Sequence, residues 1–376
     1  MHYGKKSKKV YVAMSGGVDS SVAALLLKKQ GYDVYGVFMK EWIPPDIVCT
    51  SADDRIMASR VAAFLGIPFT VWDFSDAYEK KVAHYMLLEY KKGRTPNPDI
   101  MCNKEIKFKM FLNRALKEGA DFIATGHYIK KRRTEDKELQ NSIYSLFEAE
   151  DKNKDQTYFL WTLTQKELMH SLFPIGEYTK NTVRALAKKA KLPSWDKKDS
   201  QGVCFVGQFD FAEFLRMRIP QKQGDVLNET GNIIGTHDGT AFYTIGQRHG
   251  FNISVEEGGM DKKPLYVSTK DMKRNTITVV ENHNSLLAKK ELTVSNINWI
   301  TEKHPKLPLS CLARIRYRQP LQDATLQVLH KDNTGQKIES YYVTFKKPQK
   351  AVTPGQSIVF YANGGEMIGG GIIAGL

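Results

Sequence analysis

A chain of 376 residues can form two or three domains, each with its own core. Its 41% hydrophobic and 26% charged content is that of an ordinary globular protein, and 55 Lys+Arg against 41 Asp+Glu leave a formal charge of +14. That excess favours a polyanionic partner, nucleic acid ahead of a membrane surface. No apolar run approaches the ~18 residues of a membrane span, the start MHYGKKSKKV lacks a secretory core, and the four cysteines form no CxxC or Cys/His cluster. Zinc binding, export and a disulfide framework are therefore not expected, and a cytosolic chain with reduced thiols is.

The first 130 residues alternate strand and helix. Val10–Met14 is an apolar strand, and residues 18, 22, 25 and 26 put a helical stripe on Val18–Lys29, stopped by Gly31. Tyr32–Lys40 is a strand. Ser51 and Asp54 suggest a capping box for a helix ending near Gly66. Pro68–Asp73 is a strand and Asp76–Lys91 a helix. After the proline-broken loop GRTPNPDIMCNK come a helix over Ile106–Glu118 and a strand over Asp121–Thr125 ending at GHY. This is the pattern of a doubly wound parallel sheet.

The run KKRRTEDKELQN near 130–141 lacks apolar rhythm and is expected as a surface loop. Residues 151–217 have a helical pattern, including Thr179–Lys191 and Gln208–Arg218. From Gln221 onward short alternating stretches (NIIGTH, AFYTIGQ, PLYVST, TITVVE, LARIRYR, ATLQVLH, YYVTF, SIVFY) indicate an all-β, barrel-like tail. The expected division is a nucleotide-binding catalytic domain over 1–150, a mostly helical central region over 151–220, and a β-rich region over 221–376.

Chemistry first shows in SGGVDSS, Ser15–Ser21. A strand feeding a glycine pair and a helix N-terminus forms a phosphate cradle, with backbone N–H groups and the helix dipole facing the ligand. Gly16 and Gly17 permit close approach, and Ser15, Ser20 and Ser21 offer further donors. The lysine of GxxxxGK[ST] is absent. Asp19 stands there instead, placed to hold a magnesium ion or to orient the loop.

Two cysteines have chemical surroundings. Cys102 lies behind the Pro-x-Pro loop at a predicted helix start, where the helix N-terminus would favour a thiolate. Cys204, in KKDSQGVCFVG, has Lys197 and Lys198 upstream. Cys311 and Cys49 are read as structural. Asp99, three residues before Cys102, could move a proton.

SGGxDS resembles the pyrophosphate-binding loop of the ATP pyrophosphatases of the adenine-nucleotide α-hydrolase type. Together, SGGVDSS, GRTPNPDIMCNKEIKF, ATGHY, KDQTYFL, KKDSQGVCFVG, YTIGQR and RIRYRQ resemble the tRNA-specific 2-thiouridylases, in order from Ser15 to Gly371. The resemblance implies an ATP-dependent enzyme that converts the wobble uridine of certain tRNAs to 2-thiouridine. ATP, with Mg2+, would lie on Ala13, Met14, Ser15, Gly16, Gly17, Val18, Asp19, Ser20 and Ser21, with Met39 and Gly126 near adenine and ribose. Cys204 would carry a persulfide sulfur and Cys102 would be the nucleophile that frees it, either as sulfide or through a disulfide with Cys204. Asn97, Pro98 and Asp99 would meet the flipped base. His127, Lys154, Asp155, Gln156, Arg316, Tyr317 and Gln356 would contact tRNA. The implied partners are tRNAs for lysine, glutamate and glutamine and a cysteine desulfurase or sulfur-relay protein. A monomer is expected, with no resident metal.

The chain departs from the family pattern at Glu41, where an asparagine usually precedes the tryptophan, at Pro44–Pro45, and at Trp195. Two other readings fit parts of the sequence. One is a synthetase or amidotransferase built on the same loop, which leaves both cysteines unused. The other is a non-catalytic tRNA-binding module.

Overall fold

The computed structural model describes residues 7–44, 51–136, 141–198, 211–254, 263–331 and 338–375. The chain begins with β1 (Lys9–Ala13), α1 (Val18–Lys29), β2 (Asp33–Lys40), α2 (Ser51–Leu65) and β3 (Phe69–Asp73). Next come helix α3 over 75–91, helix α4 over 98–117 and β4 (Phe122–Ala124). A hairpin of β5 (Lys130–Asp136) and β6 (Asn141–Phe147) precedes α5 (Gln165–Met169) and β7 (Ser171–Leu172).

Strands β3-β2-β1-β4-β7 form one parallel sheet. In β1 the period of two sends Tyr11 and Ala13 into one core and Val10 and Val12 into the other. An unbroken apolar strand is what a sheet covered on both faces requires. Burying each such valine contributes roughly 1.5–3 kcal/mol. The winding runs outward from β1 through β2 and β3, then crosses back to β4. The reversal leaves a crevice at the carboxyl ends of β1 and β4, where open α/β sheets bind ligands.

Helix α4 starts earlier than the expected Ile106. Asn97 is its N-cap, accepting from the Ile100 N–H at 3.2 Å, and Pro98 occupies the first turn. Proline fits there because that N–H has no helical partner in any case. The proline that suggested a loop therefore opens the helix, and Cys102–Phe111 continues it as a π-helical stretch. Further on, α6 (Lys180–Lys189) is capped by the Thr179 hydroxyl, which accepts from Thr182 N, and α7 (Phe211–Arg218) follows.

The region over 151–198 is less helical than expected. Beyond α5 and α6 it has a short turn at Thr157–Phe159 and the edge strand β7, which extends the parallel sheet past residue 150.

A middle sheet of β8 (Gly224–Leu227), β9 (Ile233–His237), β10 (Asn252–Ile253), β11 (Leu265–Asp271) and β12 (Thr276–Glu281) has the order β10-β9-β8-β12-β11. The AFYTIGQ stretch, expected as a strand, is a helical turn at Thr240–Phe242 followed by a bend at Gly246 with φ +87°. The last sheet contains β13 (Ala288–Trp299), β14 (Leu309–Arg314), β15 (Gln322–Lys331), β16 (Ile338–Lys350), β17 (Ser357–Tyr361) and β18 (Glu366–Gly375). Because β13 pairs with both β16 and β18, these six strands close into a barrel.

The charged run at 130–141 is the β5–β6 hairpin, not a loop. Its β6 adds to the barrel through β18, pairing Phe147 with Glu366. The backbone ladder to β6 makes β5 a strand without apolar alternation, while β6 itself buries Leu146 in the core. Lys130 reaches Glu150 at 2.7 Å and Arg132 covers the Phe147 ring at 4.4 Å.

Candidate active site

The SGGVDSS loop leaves β1 at the crevice. Gly16 has φ +74°, and a Cβ there would lie 2.3 Å from the Asp54 carbonyl oxygen in α2, so both the backbone conformation and its neighbour demand glycine. A Cβ on Gly17 would meet only the Ser15 hydroxyl, at 3.4 Å, so this face of the loop is open. Helix α1 begins beyond Gly17 with no side-chain cap. Its first N–H donors are thus left for a ligand, and an open cradle on a helix N-terminus suits a nucleotide's phosphates.

The hydroxyls divide. Ser15 is exposed. Ser20 and Ser21 are buried and donate to the Gly17 carbonyl at 3.3 and 2.7 Å, and Ser21 also accepts from Ser194 at 3.0 Å. They fasten the loop from beneath, so the donors expected from those two side chains point inward. Ala13 and Met14 are buried at the end of β1, with Met14 N bonded to the Val37 carbonyl at 2.8 Å. Val18 is buried in the core beneath α1. Met39 lies at the carboxyl end of β2, paired in register with Trp72. Gly126 follows β4, and a Cβ on it would strike Ser20 N at 2.8 Å, which sets β4's turn directly against the loop.

Asp19 has two partners at the loop. The Lys180 ammonium lies 2.8 Å from both of its oxygens, and the Tyr128 hydroxyl donates to it at 2.7 Å. These contacts tie the carboxylate to α6 and to the turn after β4, while its side chain stays one-third exposed. No group of three or more potential metal-ligating side chains occurs among the described residues. Sequence reasoning missed Lys180, which brings to the loop the cation that its motif lacks. A second cation, Lys197, pairs with Asp54 beside Gly16.

Cys102 is fully buried, one turn into α4, rather than at the helix start as expected. The influence of a helix terminus fades within that first turn. Its neighbour is a carboxyl: Cys102 Sγ is 3.8 Å from Glu41 Oε1, in the segment that follows β2. Burial pushes the Glu41 carboxyl above its ordinary range, Lys107 opposes that shift, and the negative charge of Asp99 reinforces it. Cys204 and Cys49 lie outside the described residues. Cys311, on β14, has its thiol pushed up to about 12 by burial, consistent with an inert packing role.

His127 is 8% exposed, its Nδ1 2.8 Å from the Thr125 hydroxyl and its ring 5.8 Å from that of Phe108. Burial, with a smaller contribution from Lys107, holds its pKa down to about 3. Enclosed and neutral, the ring brings no positive charge to a phosphate. Asp155, also expected at the RNA surface, is 1% exposed. It accepts from the Thr157 hydroxyl at 2.7 Å and pairs with Arg314 of β14 at 3.3 Å. Its carboxylate ties the barrel to the catalytic region and is not available to RNA. Lys154 and Gln156 flank it half-buried, the Gln156 carboxamide accepting from Tyr128 N at 2.9 Å.

Beyond β14, Arg316 is exposed as a residue but its guanidinium donates to the Ala351 carbonyl, and Tyr317 packs at 4.7 Å from the Phe159 ring. Gln356 donates to the carbonyls of Thr95 and Pro96 at 2.8 and 3.2 Å, directly before the half-buried Asn97, buried Pro98 and half-buried Asp99. The barrel thus braces the turn that leads to Cys102.

Residues 8–208 match the family described as "tRNA methyl transferase HUP domain", 212–281 its "PRC-barrel domain" and 289–373 the "Aminomethyltransferase beta-barrel domain". The chain is 46% identical over 368 residues to "tRNA-specific 2-thiouridylase MnmA 2" of Geobacillus kaustophilus, covering 97% of this chain and 94% of that protein. It is 46% identical over 374 residues to "tRNA-specific 2-thiouridylase MnmA" of Francisella tularensis subsp. novicida, covering 98% and 99%. The chain belongs to the tRNA-specific 2-thiouridylase family. Membership accounts for the three-part architecture of this thiouridylase: a parallel nucleotide-type sheet, a middle sheet and a closed barrel. No helix among the described residues is long and apolar enough to cross a membrane.

Proposed function

We propose that this family member replaces the C2 oxygen of the wobble uridine of tRNA with sulfur at the expense of ATP. One observation carries the reading. The Cys102 sulfur is held at the carboxyl end of β2, next in the sheet to β1 and its open phosphate cradle. A thiol one strand away from the cradle supports reading thiol chemistry and nucleotide chemistry as parts of one reaction.

ATP bound at Ser15–Ser21 would convert the C2 oxygen into part of an AMP leaving group, with pyrophosphate released. The remaining work falls to the chain's own side chains. Gly16 and Gly17 admit the phosphates, and Lys180 with Asp19 fixes the loop. Asn97 and Pro98 shape the turn that receives a flipped base, and Asp99 exchanges a proton there. Cys204 carries the persulfide. The Cys102 thiolate attacks Cys204 Sγ, forming an S–S bond while hydrosulfide departs with the electron pair, and hydrosulfide then displaces AMP at C2. An external thiol reductant returns the disulfide to two thiols. A cysteine desulfurase or relay protein supplies the persulfide in the cytosol. Lysine, glutamate and glutamine tRNAs are the proposed acceptors, and Arg316, Tyr317 and Lys154 the proposed RNA contacts on a monomeric chain.

The test incubates the protein with ATP, tRNA and either a persulfide donor or free sulfide, reading 2-thiouridine by nucleoside mass together with AMP. The expected result is thiolation with AMP formation, lost in Cys102→Ser. Cys204→Ser is expected to keep activity with free sulfide only. A Cys102→Ser protein that still works fully would point to a synthetase on the same loop. AMP formation absent with every reactant present would overturn the reading.

A further inference from the structure

The departure at Glu41 gains meaning from its contact. Among the described residues the Cys102 sulfur meets this carboxyl 3.8 Å away, and the groups around the pair can be named from each packed element. Helix α4 contributes Asp99, Cys102 and Lys107, and α3 contributes Ser75, whose hydroxyl donates to the Glu41 carbonyl at 3.3 Å. Lys107 also acts on His127, beyond β4, which is neutral.

We propose that Glu41 is the proton acceptor for the Cys102 thiol. The inference rests on reading Cys102 as the nucleophile. In the step, the S–H bond breaks, an O–H bond forms on Glu41 Oε1, and the electron pair stays on sulfur as the thiolate. No oxidant or further reactant is involved, and Glu41 returns the proton when Cys102 regains its thiol. Asp99 disfavours a second negative charge on Glu41 and so supports its taking the proton. Lys107 acts the other way and favours the ionised carboxylate that precedes the transfer. Burial raises the Glu41 carboxyl out of the ordinary carboxylate range, which brings its proton affinity closer to that of a thiol. Glutamate at this position thereby does what the helix terminus, a full turn away, does not.

The experiment compares wild type with Glu41→Gln, which preserves shape, after their melting temperatures are shown to match. Alkylation of Cys102 by iodoacetamide, read by peptide mass, is followed from pH 5 to 10 and normalised to the high-pH rate of each protein. The expected result is a shoulder on the acid side of the wild-type profile, set by ionisation of Glu41, that Glu41→Gln lacks, its rate following the thiolate fraction alone and falling near neutrality about tenfold or more below wild type. Single-turnover thiolation should fall by about 10²-fold, the lower range for acid–base catalysis, with nucleotide affinity unchanged. Equal or faster alkylation in Glu41→Gln overturns the proposal, since a carboxylate that only repels the thiolate would give that outcome. If wild type forms no 2-thiouridine, the thiolation reading fails, while the alkylation profiles still decide the proton transfer.

Discussion

Lys180 grips Asp19 across 161 positions of sequence, its ammonium equidistant at 2.8 Å from both carboxylate oxygens. The lysine is nearly enclosed and the aspartate one-third exposed, so the pair faces the mouth of the loop from one side only. Replacing Lys180 with Met should leave Asp19 as an uncompensated anion beside the phosphate cradle. A hydrogen bond to a charged group contributes about 1.5–3 kcal/mol, so nucleotide affinity should fall roughly 10- to 150-fold. Calorimetric titration with ATP checks this, and Asp19→Asn in the same background should recover part of the loss.

Gly16→Ala is expected to fail for two independent reasons. Its φ of +74° costs an L-residue about 1–2 kcal/mol, and its Cβ would lie 2.3 Å from the Asp54 carbonyl oxygen. The melting temperature should drop by several degrees and ATP binding should be lost. Gly17→Ala, with its Cβ aimed at open space, should keep stability and lose affinity alone.

His127 makes stability depend on pH. Its folded pKa, about 3, lies below the ordinary 6.5, so the unfolded chain binds more protons between these values. The contribution is complete above the unfolded pKa and is lost as pH falls towards the folded one. Its slope reaches at most about 1.4 kcal/mol per pH unit. Thermal unfolding at pH 7, 6 and 5 should show a steeper decline for wild type than for His127→Gln.

Arg316 and Tyr317 should separate a phosphate contact from base stacking. Arg316→Ala should weaken tRNA binding and reduce its salt slope by about one. Tyr317→Ala should cost up to about 1–3 kcal/mol if a base stacks there, with the salt slope unchanged. Filter binding across a salt series distinguishes them. Asp155→Asn, in contrast, should lower the melting temperature and leave the affinity of the folded protein for tRNA intact, because that carboxylate faces Arg314 rather than solvent.

The legible parts of this molecule are local. VYVAMSGGVDSS specifies strand, turn and helix within a dozen residues, and the same dozen form the cradle. What escaped reading depends on long separations or on the backbone of a distant element. Nothing in KNTVRALAKK says that its first lysine meets Asp19. Residues 130–136 carry no apolar signal because β5 is an edge strand held by its backbone ladder to β6, which joins β18 from the far end of the chain. Burial reassigned two residues, His127 and Asp155, because a motif gives residue type without saying which way the side chain faces. The start of α4 is hidden because a proline reads as a break, although the N-cap Asn97 directly before it marks a beginning.

The clamp of Gln356 on Thr95 and Pro96 makes the turn before Asn97 depend on a carboxamide 260 positions beyond Pro96. Loosening that one side chain would therefore be felt at the helix that carries Cys102, without any change in the loop at Ser15–Ser21.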